Sequence, residues 1–219
     1  MRRLPALLLT LAVALATAPA ARAAVLATDL PCYQETQDVV VGGTAFAPTA
    51  PVAISQDDAP FGTADTDPAG AFQRKFAAPE LGRDVREQVF TLKGIDSALN
   101  TATTTYRTTK IFADFTPDTG DPKTLKVRFS VNGFGLLRRE PSVYLHYVSP
   151  RGKARRDVRL GRAVGTCGKI RSTRQRHLFP FTAERGRWVL QFDTNKTYKR
   201  ATSKSKYIWV RKPVEIFNR

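Results

Sequence analysis

The sequence predicts an all-β protein made of two β-sandwiches in tandem, and three observations carry that expectation. Short apolar and β-branched runs alternate with turn-forming Gly, Pro and Asp along the chain, the spacing expected of strands in a sandwich. The first half shows no helical periodicity. Charge then splits the chain in two: residues 24–109 carry 6 basic and 11 acidic side chains, a balance of −5, whereas residues 110–219 carry 26 and 8, a balance of +18. A break of that size predicts a boundary near Thr109, between a mildly acidic unit over 24–109 and a strongly basic one over 110–219.

Ahead of both units stands an export signal. Arg2 and Arg3 precede an apolar run from Leu7 to Leu15, and Ala21-Arg22-Ala23 offers a cleavage site, so residues 1–23 read as a signal peptide cut after Ala23. The apolar run falls short of the roughly 20 residues that cross a bilayer. No later segment approaches that length before a charge or proline interrupts it. The mature protein is therefore expected to be secreted or cell-surface associated, without a transmembrane segment. Cys32 lies too far past the cleavage site to take a lipid anchor.

In the first unit Val39–Val41, Val52–Ser55, Ala71–Phe76, Val89–Lys93 and Thr101–Thr108 read as strands. Gly42-Gly43, Ala47-Pro48, Asp57-Asp58, Asp67–Gly70 and Asp96-Ser97 read as the turns between them. Asp57, Asp58, Asp65 and Asp67 could offer oxygen ligands to calcium, but their spacing lacks an EF-hand pattern and suits turn formation better. Four segments, Val39–Pro48, Asp67–Phe72, Phe90–Asp96 and Thr101–Tyr106, are together similar to bacterial immunoglobulin-like surface repeats. The resemblance covers about residues 36–109. It implies an immunoglobulin-like sandwich and no particular activity, because that family supplies spacers, stalks and adhesive modules alike.

The second unit alternates more clearly. Leu125, Val127, Phe129 and Val131 face a core while Lys126, Arg128 and Ser130 face water. Val143–Val148 and Arg155–Leu160 read as a hairpin across Ser149–Lys153. Trp188–Phe192, Tyr207–Arg211, Ile111–Phe115 and Val214–Phe217 complete seven strands, enough for one sandwich, with Trp188, Phe192 and Trp209 as core anchors. The expected fold class is thus all-β, two tandem immunoglobulin-like β-sandwich domains.

The chain has two cysteines, Cys32 and Cys167, and an oxidising destination predicts that they pair. The plain alternative is two buried or independently exposed thiols; a separate one makes Cys167 a cell-wall enzyme's nucleophile with His146 or His177 as its base. The surroundings of Cys167 match neither an L,D-transpeptidase, which places His-Gly before its cysteine, nor a sortase, which places Thr-Leu-x-Thr there. His146 lies in a strand and reads as a rim residue. No zinc motif, nucleophile elbow or phosphate-cradling loop is present, so no catalytic residue, metal site or cofactor is expected.

Positive charge remains. It concentrates at Arg151, Lys153, Arg155, Arg156, Arg159 and Arg162, then at Lys169, Arg171, Arg174 and Arg176, then at Lys196, Lys199, Arg200, Lys204 and Lys206. Of these, Arg151, Lys153, Arg155, Arg156, Arg159, Lys199, Arg200, Lys204 and Lys206 are the expected polyanion-binding set, with Tyr198 and Tyr207 among the lysines. The expected partner is an anionic cell-envelope polymer or acidic polysaccharide, held without catalysis. The runner-up is a structural component whose sheet edges recruit a protein. No sequence-specific nucleic-acid motif appears.

Overall fold

The computed structural model describes residues 23–217. The export signal lies outside the described residues, apart from Ala23. Among the described residues there is no helix.

Eight strands build the N-terminal half: β1 (Val25–Thr28), β2 (Cys32–Gln34), β3 (Asp38–Thr44), β4 (Pro51–Gln56), β5 (Ala59–Asp65), β6 (Phe72–Ala77), β7 (Glu87–Asp96) and β8 (Thr101–Thr109). They form a three-stranded sheet in the order β1-β3-β6 and a five-stranded sheet in the order β2-β8-β7-β4-β5. β1 and β2 are two pieces of one opening strand: β1 pairs antiparallel with β3, and β2 crosses to pair in parallel with β8. Seven strands follow: β9 (Phe112–Thr116), β10 (Lys126–Asn132), β11 (Ser142–Val148), β12 (Ala154–Arg162), β13 (Arg176–His177), β14 (Gly186–Asp193) and β15 (Trp209–Ile216). Their sheets run β13-β10-β9 and β12-β11-β14-β15. When the split opening strand is counted once, both halves place strands one, two and five in one sheet and three, four, six and seven in the other. That is the Greek-key arrangement of an immunoglobulin-like sandwich.

Each sandwich closes on its own aromatic core. In the first, Tyr33, Phe90 and Tyr106 pack with ring centroids 5.5–5.7 Å apart. In the second, Trp188, Phe179 and Phe181 lie 5.3–5.8 Å apart beside Phe129 and Phe192. The Trp188 indole N–H donates to the Glu184 carbonyl at 2.8 Å, so its polar edge is satisfied. The alternation expected of β10 holds, with Val127, Phe129 and Val131 buried.

Some local expectations fail. Gly42 and Gly43 continue β3 instead of turning, because a Cβ on Gly43 would strike the Phe72 ring on β6 and glycine lets the strands close over it. Tyr207 lies outside any strand, and Trp209–Ile216 is one strand where two were expected. Trp209 is half-buried outside the core; Val214 and Ile216 on the same strand take that role. β1, β2, β5 and β13 had no sequence signal, being too short or, in β5, too exposed to alternate. Asp57 and Asp67 spend carboxylate oxygens on the backbone N–H groups of Thr91, Ala69 and Ala71, which is the turn-forming role.

The sandwiches meet at a short seam. β8 ends at Thr109 and β9 begins at Phe112. Across the seam the Asn132 amide donates to Thr109 Oγ1 at 2.6 Å and to the Arg86 carbonyl at 2.9 Å, and the Arg86 guanidinium lies 4.1 Å from the centre of the Phe112 ring. Cys32 on β2 and Cys167, between β12 and β13, form a disulfide with Cα atoms 5.5 Å apart. Its second partner is held by backbone: Phe134 N–H donates to Gly168 O and Gly135 N–H to Cys167 O, at 3.0 and 2.9 Å. Gly168 adopts φ +72°, and a Cβ there would lie 2.1 Å from the Gly135 nitrogen, so no other residue fits.

The bond joins positions 135 residues apart. Closing a loop of that length removes about 5 kcal/mol of unfolded-state entropy in the chain-entropy model. Replacing both cysteines by alanine should therefore lower the unfolding free energy by about 3–5 kcal/mol in a denaturant titration. Coincident transitions with and without the bond would mean that it constrains nothing.

Candidate functional site

The alternation of β11 sets two faces. Val143, Leu145 and Tyr147 point into the core, so Ser142, Tyr144 and His146 take the outer face of the four-stranded sheet. Register supplies their neighbours. His146 stands opposite Asp157 on β12 and Gln191 on β14, and Tyr144 stands opposite Arg159 and Asp193. An outward row of this kind is normally wet, but here residues 194–208, between β14 and β15, fold back over it.

Buried side chains hold that loop down. Gln191 Nε2 donates to the Lys199 carbonyl at 2.7 Å, and Asn195 N–H donates to Asp193 Oδ1 at 2.7 Å. Ala201 N–H donates to Gln191 Oε1 at 3.3 Å, and the Tyr198 ring lies 5.7 Å from the His146 ring. His146 is consequently 0% exposed, not the rim residue its strand position suggested. Its Nδ1 lies 2.7 Å from Asp157 Oδ1 and its Nε2 lies 3.1 Å from Asp193 Oδ1. Two carboxylates facing two ring nitrogens favour the doubly protonated imidazolium. Burial by itself would lower the imidazole pKa; the hydrogen bonds and charges of Asp193 and Asp157 outweigh it and raise the pKa above the usual value.

Beside this network opens a cleft of about 610 Å³. The β10–β11 loop contributes Arg138 and Glu140, β11 contributes Tyr144, β12 contributes Arg159 and Arg162, and the covering loop contributes Lys196, Lys206 and Tyr207. Arg159 donates to Ser142 Oγ at 3.1 Å and Arg162 pairs with Glu140 at 3.3 Å. Arg138, Arg159, Lys196 and Lys206 form no ion pair among the described residues. Five of the eight acidic side chains of this sandwich are committed elsewhere: Asp157 and Asp193 to His146, Asp114 to Lys212, Glu184 to Arg151 and Glu215 to Arg187.

The predicted cationic set is only partly gathered here. Arg159 and Lys206 line the cleft. Arg155 and Arg156 lie on β12, an edge strand, with Arg151 and Lys153 in the hairpin turn just before it. Lys199, Arg200 and Lys204 ride on the covering loop. The sequence singles out neither Arg138 nor Tyr144 as a site residue. Tyr144 was legible as the polar-side neighbour of three core residues, whereas nothing local marked the β10–β11 loop.

The catalytic alternative loses its parts. Cys167 has no thiolate while bonded to Cys32, and both nitrogens of buried His146 are occupied. His177 is exposed on β13, opposite Lys126.

A raised folded-state pKa makes His146 stabilising at low pH. Its contribution is complete below about pH 6.5, the unfolded value, and is lost as pH rises through the higher folded value. Thermal stability should therefore fall as pH is raised from about 6 through that folded value, and His146→Gln should remove this slope. The substitution should also cost about 3 kcal/mol or more by leaving two carboxylates without their cation. Identical pH profiles of the melting temperature would overturn the assignment.

No family model matches the chain, and no curated protein matches it. Solved structures similar to it include the D00-D0 domain of intimin, 14% identical with 89% of this chain and 100% of that one covered, at a TM-score of 0.40. A DUF3823 family protein from Bacteroides ovatus is 11% identical over 89% and 99% of the two chains, at 0.31. A tetra-tandem repeat from the extending region of a large adhesion protein is 10% identical over 89% and 49%, at 0.30. The fold assignment rests on the chain's own strand order.

Proposed function

We propose that this protein is an exported, non-enzymatic binding module whose C-terminal sandwich attaches electrostatically to anionic envelope polymers. The observation that carries this reading is the asymmetry of its ion pairing. The sandwich's carboxylates are mostly spent on internal partners, while Arg138, Arg155, Arg156, Arg159, Lys196, Lys204 and Lys206 form no ion pair among the described residues. They are spread over the β12 edge, the covering loop and the cleft, all on one four-stranded sheet and its loops. Unpaired cations at that density produce a field that draws polyanions in, and guanidinium forks then bind carboxylate or phosphate in a bidentate way. The N-terminal sandwich, mildly acidic and disulfide-locked at the seam, acts as the spacer.

Retention of the mature protein on envelope fragments and on an acidic polysaccharide should fall steeply with added salt, as counterion release requires. Neutralising Arg155, Arg156, Lys204 and Lys206 to glutamine should weaken that retention by about tenfold or more without shifting the melting temperature. Salt-insensitive retention, or retention unchanged in the fourfold variant, would sink the proposal.

A further inference from the structure

We infer that the cleft beside the His146 network is a pocket for a single anionic sugar unit, so that the sandwich reads its polymer locally as well as holding it by charge. This rests on the polyanion reading above. The cleft's volume of about 610 Å³ falls within the range of small-ligand sites. Its chemistry is mixed in the way a sugar acid needs. Arg159 and Arg138 supply forks for a carboxylate or phosphate, Lys206 adds a point charge, and Tyr144 and Tyr207 bring aromatic walls. Glu140, whose Oε2 is taken by Arg162, lines the same cleft with a carboxylate that can accept from ring hydroxyls.

The pocket is also pre-organised. Arg159 donates to Ser142 Oγ, and the Tyr207 hydroxyl donates to the Lys199 carbonyl at 3.1 Å. That carbonyl also accepts from buried Gln191, so the wall carrying Lys206 and Tyr207 is tied to the polar network. A single-stranded nucleic acid fits this arrangement less well. It is bound by a cationic groove that follows the backbone past successive aromatic platforms, and Glu140 would stand against its phosphates.

Calorimetric titration of the full mature protein with a galacturonic acid trisaccharide, its methyl ester, glucose 6-phosphate and an oligothymidylate tests the inference. One of the anionic sugars should bind at one site per chain, and whichever binds tighter names the anionic group as carboxylate or phosphate. The ester should bind about tenfold more weakly or worse, having lost its charge. Arg159→Gln and Arg138→Gln should each weaken the anionic sugar by a similar factor, while Lys126→Gln, on the other sheet and outside the cleft, should leave it unchanged. Two cleft variants on different elements guard against a misfolded one, and unaltered melting of either keeps the test valid. Equal binding of the ester, tighter binding of the oligothymidylate, or an equal loss in Lys126→Gln would overturn the pocket. Salt-sensitive polymer retention with no binding of either short sugar would overturn the pocket alone; loss of both would overturn the polyanion reading with it.

Discussion

The Cys32–Cys167 bond is the constraint on which the arrangement of the two sandwiches depends. It ties β2 of one to a loop of the other, and the loop reaches it only because Gly168 and Gly135 let two backbones come into direct contact. Without that covalent closure, the seam would rest on Asn132, the Arg86–Phe112 stack and the Lys169–Glu87 pair at 3.5 Å, contacts of modest individual strength. A balance of +18 on one sandwich works against compactness through self-repulsion, which makes a cross-link from the unfolded-state side a fitting remedy.

Within the basic sandwich, the Asp157–His146–Asp193 cluster does for one loop what the disulfide does for the whole chain. A loop bearing Lys196, Lys199, Arg200, Lys204 and Lys206 has little apolar surface to bury, and its charges repel one another. It is held against the sheet by Gln191 and Asp193, side chains that register places beside His146 and Tyr144. The loop that carries the cations is held because Gln191 and Asp193 beneath it hydrogen-bond to its backbone, and a buried polar network of this kind orders its surroundings.

The arginines of β12 also bear on the edge of their sheet. An edge strand exposes unpaired backbone groups, and Arg155, Arg156, Arg159 and Arg162 along Ala154–Arg162 obstruct another chain from adding there. The opposite sandwich has its own edge at β5, where Arg74 on β6 donates to the Thr63 and Phe61 carbonyls at 2.6 and 3.4 Å. β12 and β5 are two of the sheet edges, and both carry guanidinium groups.

The sequence by itself determined the all-β class, the strongest strands and the excess of charge in the second half, because alternation, turn residues and composition are local quantities. β10 is the clearest example: Val127, Phe129 and Val131 alternate with polar residues and are the ones buried. Strand register, loop coverage and long-range closure belong to the tertiary structure. His146 looked like a rim residue since its strand neighbours Leu145 and Tyr147 face inward; it is buried only because a loop some 50 residues downstream returns over the outer face, and nothing in its own surroundings encodes that return. The cleft was equally invisible, since Arg138, Tyr144, Arg159 and Lys206 come from four separate segments whose meeting is decided by strand order. Charge could be counted along the chain, but which cations stay unpaired depends on which carboxylates reach them in space, and only the fold decides that.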